Sequence, residues 1–416
     1  MHAKRLFDVN TSLSAELSPS NIPPTQVRIT NTVPHPLEQF PILASAPDYH
    51  IIPRDTVRHH IETTGSPIHF KPRPLNPEKY KTAKEEFDKL LQLGIVRRSS
   101  SPWASPLHMV KKGDGTWRPC GDFRALNAIT KPDRYATPNI EHFHNRLMGA
   151  TIFSKLDLVK AYHFLPMAED DIEKTAVCTP FGSFEYLRMP FGLRNSASSF
   201  QRFMDSILTG LPFVISYIDD LLIFSENPSQ HEEHLKKVFE RLESSGLRVN
   251  SKKCKFHQTS IEFLGFLVQA SGIKPIPSKV ANMRDLPPPR DQKTLRSQLG
   301  MFSFYQRFIP HFSSLVNPLR DVLRRNTFQW SSKEDEHFVT LKKALADAAE
   351  LDYPREGATI SITTDASSVA IGGCLHQTCN GNTTPLAFFS RKLSDTETRY
   401  STFDRELLAI FAAIKK

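Results

Sequence analysis

"SYIDDLLIFS", residues 216–225, sets two carboxylates inside an apolar run. Tyr217, Ile218, Leu221, Leu222, Ile223 and Phe224 suit a buried sheet, and Asp219 and Asp220 do not. Neighbouring strand residues point to opposite faces, so the pair cannot share one polar side, and a buried unpaired carboxylate is costly. Two readings meet that cost: an acidic hairpin tip that reaches water, or a tip that holds cations.

A third carboxylate stands in the same predicament. "IFSKLDLVKAYHF" (152–164) ends an apolar strand on Asp157, with no obvious cationic partner beside it. Magnesium favours oxygen ligands, commonly one or two carboxylates completed by water and substrate phosphates. Two such ions can clamp the attacking and leaving oxygens of an in-line displacement, and three aspartates from two neighbouring strands could supply that clamp.

The remaining sequence bounds the setting. The chain has 416 residues and 53 Lys plus Arg against 44 Asp plus Glu, a net charge of +9, which suits two or three domains with a polyanionic partner. No apolar run has the length to span a bilayer, and "MHAKRLFDVN" lacks the apolar core of a signal peptide, so a soluble intracellular protein with no membrane partner is expected. The five cysteines (Cys120, Cys178, Cys254, Cys374, Cys379) form no CxxC pair, which argues against a disulfide framework or a zinc site.

Residues 1–58 read as a leader without stable structure: Pro19, Pro23, Pro24, Pro34, Pro36, Pro41 and Pro47 accompany few aromatic residues. "EKYKTAKEEFDKLLQLG" then spaces Ala83, Phe87, Leu90 and Leu91 as a helix, with Gly94 as its stop. "SQHEEHLKKVFERLESSG" does the same with Leu235, Val238, Phe239 and Leu242, ending at Gly246 before the strand-like "LRVN". Strand, hairpin, helix and strand make an α+β pattern. "LPPPR" (286–290) is a rigid hinge, after which Leu295, Leu299, Phe302 and Tyr305 recur at helical spacing. From about Phe328 the pattern turns to strands again with "TISITTDASSVAIGGCLHQ".

Taken together, "SPWASPLHMVKKGDGTWRPCGDFRALN", "FSKLDLVKAYH", "TPFGSFEYLRMPFGLRNSASSFQRFMD", "YIDD" and "IEFLGF", in this order and spacing, resemble the reverse transcriptase of gypsy-type LTR retrotransposons. The resemblance implies a right-hand polymerase fold of α+β class, with fingers and palm over 59–272, thumb helices over 273–327 and a truncated RNase H-like domain over 328–416. It implies an RNA-directed DNA polymerase that transfers nucleotides from dNTPs to a primer 3′-hydroxyl. RNA template, DNA or tRNA-like primer and dNTPs would be its partners, with the protease, remaining RNase H and integrase of a Pol polyprotein. The expected location is the cytoplasm, in the element's virus-like particle, or the nucleus. The alternative is a nucleic-acid-binding remnant without turnover.

By the same resemblance Asp157, Asp219 and Asp220 are the metal-holding triad for two magnesium ions, with manganese as a substitute. Lys111 or Lys112 and Arg118 would contact the triphosphate from a fingers hairpin. The stretch from Lys71 to Arg134, with 14 Lys and Arg against 7 Asp and Glu, supplies most of the excess positive charge. Tyr162 would lie under the sugar and collide with a 2′-hydroxyl, a physical filter for deoxynucleotides. Phe191, Gly192 and Gln201 would border the nascent base pair. Leu264 and Gly265 match a hairpin that grips the primer end, and Arg296 and Gly300 a thumb helix at the duplex minor groove. Asp365 and Glu406 would be the first two RNase H carboxylates, and the other two are expected beyond Lys416, so no RNA cleavage is expected of this chain. Two positions depart from the family: Phe164 stands where glutamine is usual, and Glu173 where proline is common.

Overall fold

The computed structural model describes residues 4–8, 13–17, 29–30, 36–49, 57–113, 115–135, 138, 143 and 145–416. In chain order its elements begin with β1 (Lys4–Asp8), β2 (Leu13–Leu17), β3 (Ile29–Thr30), α1 (Pro77–Gln92), β4 (Val96–Arg98), β5 (Ser105–Lys111), β6 (Trp117–Gly121) and α2 (Arg124–Ile129). Then follow β7 (Ile152–Asp157), β8 (Val177–Thr179), β9 (Gly182–Tyr186), α3 (Ser196–Ile207), β10 (Val214–Tyr217), β11 (Asp220–Ser225), α4 (Pro228–Ser244) and β12 (Lys255–Gln258). A three-stranded meander, β13 (Ser260–Phe263), β14 (Phe266–Gln269) and β15 (Gly272–Pro275), leads into α5 (Pro277–Arg284), α6 (Gln292–Phe304), α7 (Phe312–Val322) and α8 (Ser332–Ala346). The last elements are β16 (Thr359–Ala366), β17 (Ala370–Cys379), β18 (Asn382–Lys392) and α9 (Thr402–Lys415).

Two compact units result. The first comprises residues 1–136, 156–209 and 235–256. Its main sheet runs β4-β9-β8-β5-β6, with β5 and β8 parallel and the other pairs antiparallel. The α1 helix forms where its sequence spacing predicts. Asn76 caps it by accepting from the Lys79 amide, Pro77 opens it, and Ala83, Phe87 and Leu90 are buried. Gly94 then turns the chain at φ 65°.

The end of the leader departs from expectation. Leu37, Leu43 and Tyr49 are buried, and the Phe40 ring lies 5.3 Å from Phe239. Val249 donates its amide to the Leu43 carbonyl at 2.8 Å, and the buried Arg188 guanidinium donates to the Tyr49 carbonyl. A few apolar anchors between prolines suffice to dock this segment. The strands β1, β2 and β3 pair antiparallel, so part of the segment read as unstructured is a small sheet.

The second unit comprises residues 137–155, 210–234 and 257–416. It holds most of a sheet ordered β10-β11-β7-β12, whose inner face buries Phe153, Ile215, Leu222 and Phe224. The same core takes in Leu295, Leu299 and Phe302 of α6, Val316 and Leu319 of α7, and Phe338, Leu341 and Leu345 of α8. The Phe302 and Phe338 rings meet edge to face at 5.9 Å. Thus α8 packs with α6 and α7, because its apolar face is continuous with theirs. The proposed thumb boundary at 273 falls inside the β14–β15 hairpin.

The terminal sheet β16-β17-β18 is antiparallel, with α9 packed on β16 and β17 around Ile371, Leu393 and Ala409. β16 is an edge strand that exposes Ile360 and Ile362, and α9 exposes Phe403, Leu407, Ile410, Phe411 and Ile414.

Candidate active site

The opening stretch folds as a two-residue hairpin. Tyr217 pairs with Asp220, leaving Ile218 and Asp219 at the turn between β10 and β11. Ile218 sits at φ 55°. A β-branched residue there is strained by about 1–3 kcal/mol, and such strain persists only where the surroundings over-determine it. Here Ile215 and Leu222, fully buried in the strands on either side, hold the turn. The acidic tip is neither a plain solvent loop nor sealed in the core: the Asp220 side chain is 31% exposed and the Asp157 side chain 26%.

Both carboxylates have cationic partners that local sequence did not show. Lys155, two residues before Asp157 on β7, places its ammonium 2.9 Å from Asp220. Lys253, distant in sequence, stands 3.5 Å from Asp157. The expectation that Asp157 lacks a cationic partner is therefore corrected. Among the described residues, no group of three or more His, Cys, Asp or Glu is gathered as a ready metal cage. This donor set still fits magnesium, which asks the protein for only one or two carboxylates and takes the rest from water and phosphate. Each partly open aspartate already faces a positive charge.

In the first unit, Tyr162, Phe191 and Phe200 form one aromatic group. The Tyr162 ring is 4.9 Å from Phe191 and 5.5 Å from Phe200, and the Arg118 guanidinium lies 6.0 Å from the Phe191 ring. Gly192 takes φ 92°, a conformation that favours glycine, and a Cβ there would make ordinary contact 3.7 Å from the Gly121 carbonyl and the Phe123 ring. Gln201 is fully buried on α3 and donates to Asp205 at 2.8 Å, while the Tyr135 hydroxyl holds the other Asp205 oxygen at 2.6 Å. Lys111, Lys112 and Arg118 are all exposed on the β5–β6 hairpin, where Lys112 donates its amide to the Thr116 carbonyl at 2.7 Å.

Sequence reasoning missed the acidic centre of this region. A cavity of about 420 Å³ is lined by His108, Cys120, Asp122, Phe123, Arg124 and Gly192, among others. Asp122 is clamped by Arg124 at 2.7 Å and Arg73 at 2.9 Å. The Arg124 hydrogen bond, helped by Arg73, holds its carboxyl far below the usual carboxylate range, while burial pushes the Cys120 thiol up. The only advance signal was "GDFR", an acid and a base two residues apart.

The other expected contacts scatter within the second unit. Leu264 and Gly265 are the two turn residues of the β13–β14 hairpin, at φ 48° and 92°. Arg296 and Gly300 lie exposed one turn apart on α6, with nothing near Gly300. Asp365 on β16 is 67% exposed, 4.0 Å from His311, and Glu406 is half-buried on α9.

With this geometry in place, comparison with known proteins defines the class. Residues 110–268 match the family described as reverse transcriptase (RNA-dependent DNA polymerase), and residues 330–416 match the RNase H-like domain found in reverse transcriptase. The chain thus carries a reverse transcriptase domain followed by an RNase H-like domain of the kind found in reverse transcriptase. Its relatives are polyproteins of mobile elements. It is 37% identical over 371 residues to the retrovirus-related Pol polyprotein from transposon 297 of Drosophila melanogaster, covering 87% of this chain and 35% of that protein. It is 36% identical to the corresponding polyprotein of transposon opus from the same fly, covering 98% of this chain and 42% of the relative. The Tf2-3 polyprotein of Schizosaccharomyces pombe is 34% identical, over 82% of this chain and 26% of its own length. The chain therefore spans between about a quarter and two fifths of these relatives.

The fold agrees with solved structures of foamy viral protease-reverse transcriptase. One, a complex with double-stranded DNA, superposes with a TM-score of 0.82 at 24% identity, covering 91% of this chain and 67% of the other. A second, with an RNA/DNA hybrid, gives 0.80 at 24% identity, covering 91% and 52%. The expected right-hand polymerase architecture with an RNase H-like domain is the observed fold.

Proposed function

We propose that this chain is the RNA-directed DNA polymerase of a retrotransposon, extending a primer 3′-hydroxyl with dNTPs on an RNA or DNA template. The observation that carries the reading is the strained Ile218–Asp219 turn, which projects an acidic pair from a sheet whose neighbouring strand, β7, ends on Asp157. The match of residues 110–268 to the reverse transcriptase family adds the reaction class. The structures it resembles hold double-stranded DNA and an RNA/DNA hybrid, which supports a nucleic-acid partner for this chain's excess positive charge.

In this mechanism Asp157, Asp219 and Asp220 would hold divalent magnesium, which supplies Lewis-acid activation of the primer hydroxyl and charge neutralisation at the departing pyrophosphate. Lys155 and Lys253 balance the aspartates until then, at a modest cost because both pairs are partly solvated. Arg118 and the lysines at 111 and 112 attract the triphosphate. The Tyr162 and Phe191 rings form the apolar wall against its sugar, and Gly192 supplies the left-handed turn that follows Phe191. Asp122, kept ionised by its two arginines, holds those mutually repelling guanidiniums side by side and fixes Arg124 at the cavity wall.

Extension of a DNA primer on an RNA template, measured with magnesium and with a chelator, tests the function. Magnesium-dependent extension is expected. Tight duplex binding without extension under any divalent ion would instead establish the non-catalytic alternative.

A further inference from the structure

Beneath the acidic hairpin, the first turns of α4 deliver a histidine that the chemistry above does not use. His231 is fully buried. Its Nε2 lies 2.7 Å from Ser154 Oγ on β7, and its Nδ1 lies 2.8 Å from Ser225 Oγ on β11. Ser225 Oγ also meets His234 Nδ1 at 2.8 Å, and that nitrogen is 3.3 Å from the Phe224 carbonyl, which can only accept. The donor and acceptor roles depend on the tautomers. In one arrangement that satisfies every contact, His234 is protonated on Nδ1, and Ser225 accepts from it and donates its hydroxyl proton to His231 Nδ1. His231 then carries its proton on Nε2 and donates to Ser154, which also accepts the His257 amide at 3.1 Å.

The chain His234, Ser225, His231, Ser154 therefore runs in one direction from β11 to β7. Burial, with the opposing charges of His257 and His234, holds the His231 pKa down at about 4, so the ring stays neutral near neutral pH. His257 faces it from β12 at 5.3 Å between ring centroids and is itself 2.7 Å from Glu232. A neutral imidazole offers one donor and one acceptor on opposite edges, which an apolar residue of the same size does not.

We propose that His231 is a positioning residue for nucleotidyl transfer: it ties β7 to β11, the strands from which Asp157 and Asp220 project. Ser154 precedes Asp157 by three residues on β7, and Ser225 closes the strand that Asp220 opens. Partners one step removed from ligands orient them, and their loss commonly weakens metal affinity or activity by about 10–100-fold. The proposal rests on the reading of these aspartates as the metal-holding groups.

The test uses the full chain and its His231→Phe, His231→Gln and Ser225→Ala variants. Primer-extension kinetics are measured together with binding of manganese to the substrate-free protein, followed by the electron paramagnetic resonance of free manganese. For His231→Phe, kcat should fall about tenfold with KM for template-primer within about twofold, and manganese binding should weaken at least about tenfold. His231→Gln, which keeps a donor and an acceptor, should recover part of both. Unchanged kcat and manganese affinity in His231→Phe would overturn the proposal, as would a loss that tracks the unfolded fraction and that Gln does not restore. Should His231→Phe not fold, Ser225→Ala decides: the same pattern at smaller amplitude supports the strut, and wild-type values refute it. Asp219→Asn run alongside separates the two ideas, since its full activity would remove the underlying reading of the site, whereas its inactivity beside a normal His231→Phe removes the strut alone.

Discussion

Mild acid should destabilise this protein through its buried histidines. His59, His163 and His231 are buried, and burial is the main force that lowers each from an ordinary 6.5 to about 4. Each also sits in a bond suited to a neutral ring: His59 Nδ1 meets Ser199 Oγ at 2.8 Å, and His163 Nδ1 meets the Met189 carbonyl at 3.2 Å. The folded value lies below the unfolded one, so the unfolded chain binds more protons between about pH 4 and 6.5. The stabilisation is complete above pH 6.5 and is lost as the pH falls toward 4. Each histidine contributes a slope of about 1.4 kcal/mol per pH unit, so at pH 4.5 the loss is about 5 kcal/mol where two act together and about 3 kcal/mol for one. The first unit contains His59 and His163, and the second contains His231. Against a usual domain stability of about 5–15 kcal/mol, the first unit should be the one to fail. Glu334 and Glu397, held at about 2 by their hydrogen bonds, titrate in a separate, lower window. Urea unfolding from pH 7 to 4.5, read by Trp103 in the first unit and Trp330 in the second, measures both slopes. His163→Phe should roughly halve the slope of the first unit. A urea midpoint that stays level from pH 6.5 to 4.5 would refute the reasoning.

Two further outcomes are expected. Tyr162→Ala removes the ring packed on Phe191 and Phe200, so discrimination against ribonucleotides, measured as the kcat/KM ratio of dNTP to rNTP, should fall at least about tenfold; an unchanged ratio would place Tyr162 outside the sugar contact. Gly265→Ala puts a Cβ 3.0 Å from the Phe304 ring at φ 92°, so it should cost about 1–2 kcal/mol, seen in thermal unfolding, and raise KM for template-primer; a stability equal to wild type would show that the turn is not held there.

What the sequence disclosed was local or motif-borne. Periodicity and a stop glycine located α1 to within a residue or two, and the DD pair in an apolar run located the hairpin, because both signals are written in consecutive residues. What it concealed depends on distant packing. Lys253 reaches Asp157, and Ser154 reaches His231, only through the fold. The docking of Leu37, Leu43 and Tyr49 was hidden by a proline-rich composition that averages over a few anchors. The Ile218 strain was also invisible, because isoleucine is a poor choice for a left-handed position and nothing in its neighbours announces one.

The most direct test of the central claim is Asp219→Asn, which keeps the side chain's size and polarity while removing its charge. Steady-state primer extension and equilibrium binding of a template-primer duplex should be measured on the same preparations. The account predicts that extension falls by at least about a thousandfold while duplex affinity stays within about threefold, because lysine and arginine contacts to phosphates dominate binding and the aspartate serves the metals. Extension and binding lost in equal measure would make Asp219 a structural residue, and extension preserved would remove the acidic hairpin from the chemistry.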